Sequence, residues 1–154
     1  MTDHDRIGIG FAFEIRARID APLDGGPGRN GRRRIIPILG GTVAGPRLQG
    51  RVLPGADYEL IRPDGNSVVE AHYGIEASDG TPIYIRNKGL FVATPEVIAR
   101  LDAGEAVGPD SYYFRSVPVF DAPDGPHGWL ADRVFVAECR FTPAEVTIRV
   151  FEVT

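Results

Sequence analysis

The chain has 154 residues, of which 43% are hydrophobic and 25% charged, and its formal net charge is −4. That length fits one domain with a sizeable core, and the acidic balance argues against nucleic-acid binding, which needs a basic field. A single cysteine, Cys139, excludes an internal disulfide framework and a cysteine-based zinc site.

The opening MTDHDRIGIG has no basic segment followed by an apolar one, so no secretory signal is expected. No apolar run approaches the roughly 20 residues that span a bilayer. The expectation is a cytoplasmic protein without membrane contact. In FAFEIRARID the residues Phe11, Phe13, Ile15, Ala17 and Ile19 share one face, while Glu14, Arg16, Arg18 and Asp20 share the other. Alternation of this kind marks a half-buried strand.

DGGPGRNGRRRIIPILGG follows. Gly26-Pro27-Gly28-Arg29-Asn30-Gly31 fits G-x-G-x-x-G, but a dinucleotide fingerprint needs a helix starting inside it to hold the pyrophosphate. Here the glycines run into β-branched residues and Pro37, so the segment reads as a loop feeding a strand. Arg29, Arg32, Arg33 and Arg34 are outweighed as a basic clamp by acidic residues elsewhere. Alternate arginines are expected to face solvent, with room for one to turn inward.

Further strands are predicted over residues 33–39, 48–53, 58–62, 67–77, 83–87, 112–120, 133–139 and 146–153. Asp-Gly pairs stand at 24–25, 64–65, 79–80 and 124–125, and two or more of them are expected to form hairpin turns. One short helix is predicted in TPEVIARLDAG, with Thr94 as N-cap, Pro95 in the first turn and Gly104 near its end. About nine strands and one helix, with no linker or repeat, indicate one all-β domain over residues 1–154, a sandwich or a closed antiparallel barrel.

Chemistry concentrates in ADYELIRPDGNSVVEAHYGIEASDG. If Asp64-Gly65 form a two-residue loop, Asp57 stands across from His72 and Glu59 across from Glu70. Tyr58, Leu60, Val69, Ala71, Tyr73 and Ile75 then share an apolar face, and Asp57, Glu59, Glu70, His72 and Glu76 a polar one. If water bathes the polar face it is ordinary surface. If a barrel encloses it, Asp57, Glu70 and His72 form an acid–base set. The spacing matches no recognised metal site.

In SYYFRSVPVFD, Arg115 flanked by Tyr113 suits a carboxylate, phenolate or enolate, or else is an arginine packed on aromatics. Trp129 follows a Gly/Pro loop where an aromatic can cap a barrel end. His127 is expected to be exposed, His4 carries little weight, and Cys139 reads as a small buried group. No G-x-S-x-G, Walker A, HExxH or EF-hand pattern occurs.

In sum the order of segments resembles the DUF3237, or UPF0311, family. The resemblance rests on GRRRIIPILGGTVAGPRLQGRVLPGADYELIRPDG, AHYGIEASDGTPIYIRNKG, YYFRSVPVF, WL and VTIRVFEV, from about Phe11 to Val153. It implies a compact antiparallel β-barrel in a small cytoplasmic protein, and it names no reaction. Family positions are matched by Asp57, by Glu70, His72 and Tyr73, by Tyr113, Phe114 and Arg115, and by Trp129 and Leu130. Two positions depart: His72 stands where arginine is usual, and Ala131 where asparagine is usual.

The resulting expectation is a small-molecule-binding barrel acting as a cofactor-independent acid–base enzyme, an isomerase, lactone hydrolase or cyclase. Asp57, Glu70 and His72 are the candidate catalytic residues. Arg34, Tyr73, Tyr84, Tyr113, Arg115 and Trp129 are the candidate ligand contacts, and no metal or cofactor is called for. A ligand carrier or sensor and a structural homo-oligomer are the alternatives. Self-association through a strand edge is compatible with all three.

Overall fold

The computed structural model describes residues 6–154, so His4 lies outside the described residues. Ten strands form: β1 (Ile9–Ile19), β2 (Leu23–Gly28), β3 (Gly31–Ala44), β4 (Gly50–Val52), β5 (Gly55–Ile61), β6 (Ser67–Ala77), β7 (Pro82–Ala93), β8 (Tyr112–Asp121), β9 (Phe135–Phe141) and β10 (Glu145–Val153). The helix α1 (Pro95–Asp102) sits where the sequence pattern places it, with Thr94 Oγ1 accepting from the Val97 N–H at 3.3 Å.

All pairings are antiparallel. The sheet runs β1-β10-β9-β8-β7-β6, passes through β4 and β5 to β3, and closes because β3 pairs back onto β1. The result is a closed eight-stranded barrel with two extra strands. Closure leaves no free edge around most of the wall.

Inward-facing residues divide the interior in two. At one end Phe13, Leu48, Ile75, Ile83, Phe120, Leu130 and Phe135 are almost fully buried and fill the barrel with hydrocarbon. The short 3-10 turn Gly128–Asp132 covers this end, with Trp129 against Phe135 at 5.7 Å. Toward the other end the inward positions carry Arg34, Asp57, Glu59, Ser67, Asn87, Ser116 and Cys139 beneath a group of aromatic rings.

Two local features differ from the sequence reading. Asp24-Gly25 lies within β2 rather than in a turn, and the reversal falls at Arg29-Asn30, where Gly28 pairs with Gly31. The Asp24 carboxylate is engaged instead by the Gly26 N–H at 2.8 Å and by the Arg32 guanidinium. The β5–β6 loop contains three residues rather than two. The Arg62 N–H donates to the Asn66 carbonyl, the Gly65 N–H to the Arg62 carbonyl, and Gly65 adopts φ 86°. Asp57 therefore pairs with Ala71 and not with His72. A one-residue slip transfers a strand's whole inward set to the other face, and this one turns Asp57 and Glu59 inward while Glu70 and His72 point out.

Closure depends on the middle of β3, where the strand leaves β5 for β4 and β1. Gly40 and Gly41 have φ 153° and 149°, and a Cβ on Gly41 would overlap the Arg16 carbonyl. Gly41→Ala is expected to cost roughly 3 kcal/mol through backbone strain and overlap, measured as a lower midpoint of chemical denaturation. An unchanged midpoint contradicts this role.

Candidate functional site

Asp57 is the centre of the polar interior. It lies between Ile36 on β3 and Ala71 on β6, and its Oδ1 accepts the Glu70 N–H at 3.1 Å. Burial is the main influence on its carboxyl and the Glu59 charge the second, and both raise its pKa. The Glu70 N–H and the Arg34 charge act in the opposite sense but do not offset them, so the group is pushed up to about 7. Asp57 thus divides between acid and base forms at neutral pH, as proton transfer in both directions requires.

Glu59 and Arg34 stand opposite each other on β5 and β3, with Arg34 Nε donating to Glu59 Oε1 at 2.6 Å. Glu59 is buried, whereas the Arg34 side chain keeps 31% of its surface exposed. The guanidinium therefore joins the interior to the solvent. On β7, β8 and β9, Phe91, Tyr112, Phe114 and Phe141 form an aromatic cluster, with centroids 5.2 Å apart for Phe91–Tyr112 and 5.4 Å for Tyr112–Phe141. Phe91, Tyr112 and Phe141 are only half-buried, so this end of the barrel is partly open to solvent.

Deeper in, Ser116 Oγ lies 3.4 Å from Cys139 Sγ. Burial pushes the Cys139 thiol up to about 11, so it stays protonated. Tyr73 is 4% exposed and Asn87 5%. Sequence reasoning missed Asn87, Ser116 and Glu59 as site residues. Their inward parity on β7, β8 and β5 is the signal that could have found them.

The other candidates face outward. Glu70 and His72 share the outer face of β6, with His72 Nδ1 2.5 Å from Tyr84 Oη and Nε2 3.8 Å from Glu70 Oε2. His72 and Tyr84 line a shallow external cleft of about 520 Å³ with Leu53, Pro82 and Asp121. Tyr113 and Arg115 lie on the outer face of β8, the guanidinium 5.4 Å from the Tyr113 ring centroid, in a second external groove of about 700 Å³. Trp129 sits at the hydrocarbon-filled end beneath Arg47, whose guanidinium lies 3.8 Å from the ring centroid. His127 is partly buried and bonds the Asp79 carboxylate at 2.9 Å. Of the nine candidates, only Asp57, Arg34 and Tyr73 meet inside the barrel, because strand parity and the loop length separate them from the rest. Among the described residues no group of three His, Cys, Asp or Glu side chains could hold a metal ion.

The profile of the family described as "Protein of unknown function (DUF3237)" matches residues 8–153. A UPF0311 protein of Bradyrhizobium diazoefficiens is 40% identical over 144 residues, covering 93% of this chain and 94% of its own. The crystal structure of a conserved protein of unknown function from Rhodopseudomonas palustris superposes with a TM-score of 0.91 at 37% identity, covering 97% of this chain and 99% of that one. A structure described as an enzyme from Penicillium herquei shares the fold at a TM-score of 0.73 and 16% identity, covering 100% of this chain and 99% of its own.

Because the folded pKa of Asp57 lies above its unfolded value, its carboxyl is tolerated at acid pH and destabilises the fold increasingly as pH rises from about 4 to about 7. Asp57→Asn, which keeps an acceptor for the Glu70 N–H, should match the wild type near pH 4. It should exceed the wild type by up to a few kcal/mol above pH 7.5, measured by denaturant titration across pH. A constant difference contradicts the burial of this charge. Arg34→Met leaves Glu59 without its partner and should cost roughly 3 kcal/mol at pH 7, most of it recovered when Glu59→Gln is added. Independent, additive losses contradict the pair.

Proposed function

The chain belongs to the DUF3237 family, and from that premise we propose that it is a cofactor-independent acid–base enzyme acting on a small aromatic molecule inside its barrel. The observation that carries this reading is Asp57, a largely buried carboxyl raised to about 7 among the inward polar groups of the barrel. A carboxyl buried without a full partner lowers stability. Its presence at the meeting point of the polar groups is accounted for by chemistry.

In the proposed step the Asp57 carboxylate removes a proton from carbon next to an electron-withdrawing group on the substrate. The electron pair delocalises onto the substrate oxygen. The protonated Asp57 then returns the proton to a different carbon, which isomerises the substrate. Arg34 stands at the solvent end to attract an anionic group, while the aromatic shell holds a planar substrate and excludes water. That the Penicillium herquei neighbour is described as an enzyme supports catalysis on this fold, without extending that protein's reaction to this chain.

The test is deuterium incorporation from D2O at the α-carbon of phenylacetone, followed by NMR. The wild type should accelerate exchange, with a rate that rises through a midpoint near pH 7, and Asp57→Asn should lose it by roughly 10²-fold or more. Full exchange in Asp57→Asn removes this residue from the chemistry. Binding of the ketone without exchange makes the barrel a carrier.

A further inference from the structure

Two buried polar atoms remain unused by the acid–base reading. Among the described residues, Tyr73 Oη and Asn87 Oδ1 are buried and have no hydrogen-bond partner. Folded proteins rarely leave such atoms unpaired, because each loses its bonds to water and gains nothing in return. Ser116 and Cys139, the nearby polar side chains, engage each other and not the tyrosine. Phenylalanine in place of Tyr73 would remove the unpaired atom at no cost in packing, so the hydroxyl is available to a partner that enters the barrel.

Topology places both residues on the same inward face as Asp57. Ala71 pairs with Asp57 on one side and Asn87 on the other, and Tyr73 is the next inward residue along β6. Tyr73 has the inward parity of β6 and is 4% exposed, so its ring lies within the barrel. Burial, followed by the charges of Cys139 and Asp57, raises its pKa, so it stays protonated and acts as a donor.

Resting on the acid–base reading above, we propose that Tyr73 Oη is the hydrogen-bond donor to a substrate carbonyl oxygen, and that the substrate class is an aryl ketone or its enol. When Asp57 takes a proton from the carbon next to that carbonyl, the C–H electron pair becomes the carbon–carbon double bond of an enolate. The carbonyl π pair passes to the oxygen, and the Tyr73 hydroxyl stabilises the charge developing there. Asn87 Oδ1 accepts from a hydroxyl on the same substrate, such as an enol or a ring phenol. The aryl group packs against the half-buried side of the Phe91, Tyr112, Phe114 and Phe141 cluster, whose rings already fill the space between them.

Tyr73→Phe tests the assignment with three readouts: thermal midpoint, phenylacetone exchange, and binding of 4-nitrophenol, whose absorbance reports the phenolate. The variant should melt at or above the wild-type temperature, because the hydroxyl has no partner to lose. It should exchange phenylacetone about 10²-fold more slowly with an unchanged pH midpoint, and bind 4-nitrophenol at least 10-fold more weakly. A midpoint lowered by several degrees would make the hydroxyl structural, and unchanged exchange and binding would leave it idle; either overturns the proposal. Asp57→Asn separates the two readings. Loss of exchange there with an unaffected Tyr73→Phe keeps the base and overturns the donor. Loss of 4-nitrophenol binding in Tyr73→Phe with full exchange in Asp57→Asn keeps the donor and overturns the base. A wild type that neither binds 4-nitrophenol nor exchanges phenylacetone overturns both.

Discussion

The length of one loop decides which side of the barrel wall carries the charges. Residues 63–65 form a three-residue turn with Gly65 in the left-handed region, and that count puts Asp57 opposite Ala71. With one residue fewer, Asp57 and Glu59 would lie outside with Glu70 and His72, and the interior would keep Arg34 without an acidic partner. The polar half of the barrel exists because β5 pairs in this register.

The interior accepts these groups unequally. Glu59 has the Arg34 guanidinium opposite it, a charge-assisted contact that compensates for much of the lost hydration. Asp57 has one backbone N–H and no cation of its own, and Glu59 adds repulsion. Two carboxylates on one inward face share one arginine, so the second remains poised between protonated and ionised. The hydrocarbon end of the barrel supplies the stability that tolerates this, with Phe13, Ile15, Ile75, Ile85 and Val150 at zero exposure.

Much of this architecture is legible in the sequence, and its limits follow from what local pattern encodes. Alternation in β1, β6, β8 and β10 marks strands because one face is apolar, and the Thr94–Pro95 start of α1 is a local backbone signal. Alternation states that two faces differ without stating which is inside when both carry polar groups, and β5 and β6 are such a pair. Pro-Asp-Gly suits both a two-residue and a three-residue loop, so the register was open to a one-residue error. β2 escaped notice because Gly25, Gly26 and Pro27 weaken strand propensity, and its pairing comes from β3. Tyr113 and Arg115 look like a ligand clamp along the chain, yet Phe114, Ser116, Pro118 and Phe120 take the inward parity and leave them outside. The inward turn of Arg34, one of three consecutive arginines, is set by Glu59 on a strand 25 positions away.

The proposed chemistry depends on the ionisation of one carboxyl. Carbon-13 NMR of the Asp57 side-chain carbonyl across a pH titration, assigned by its loss in Asp57→Asn, measures it directly. A midpoint near 7 is the result this structure predicts. A midpoint near 4, the ordinary value for a solvated aspartate, would mean that the group faces water and that the barrel holds no acid–base centre.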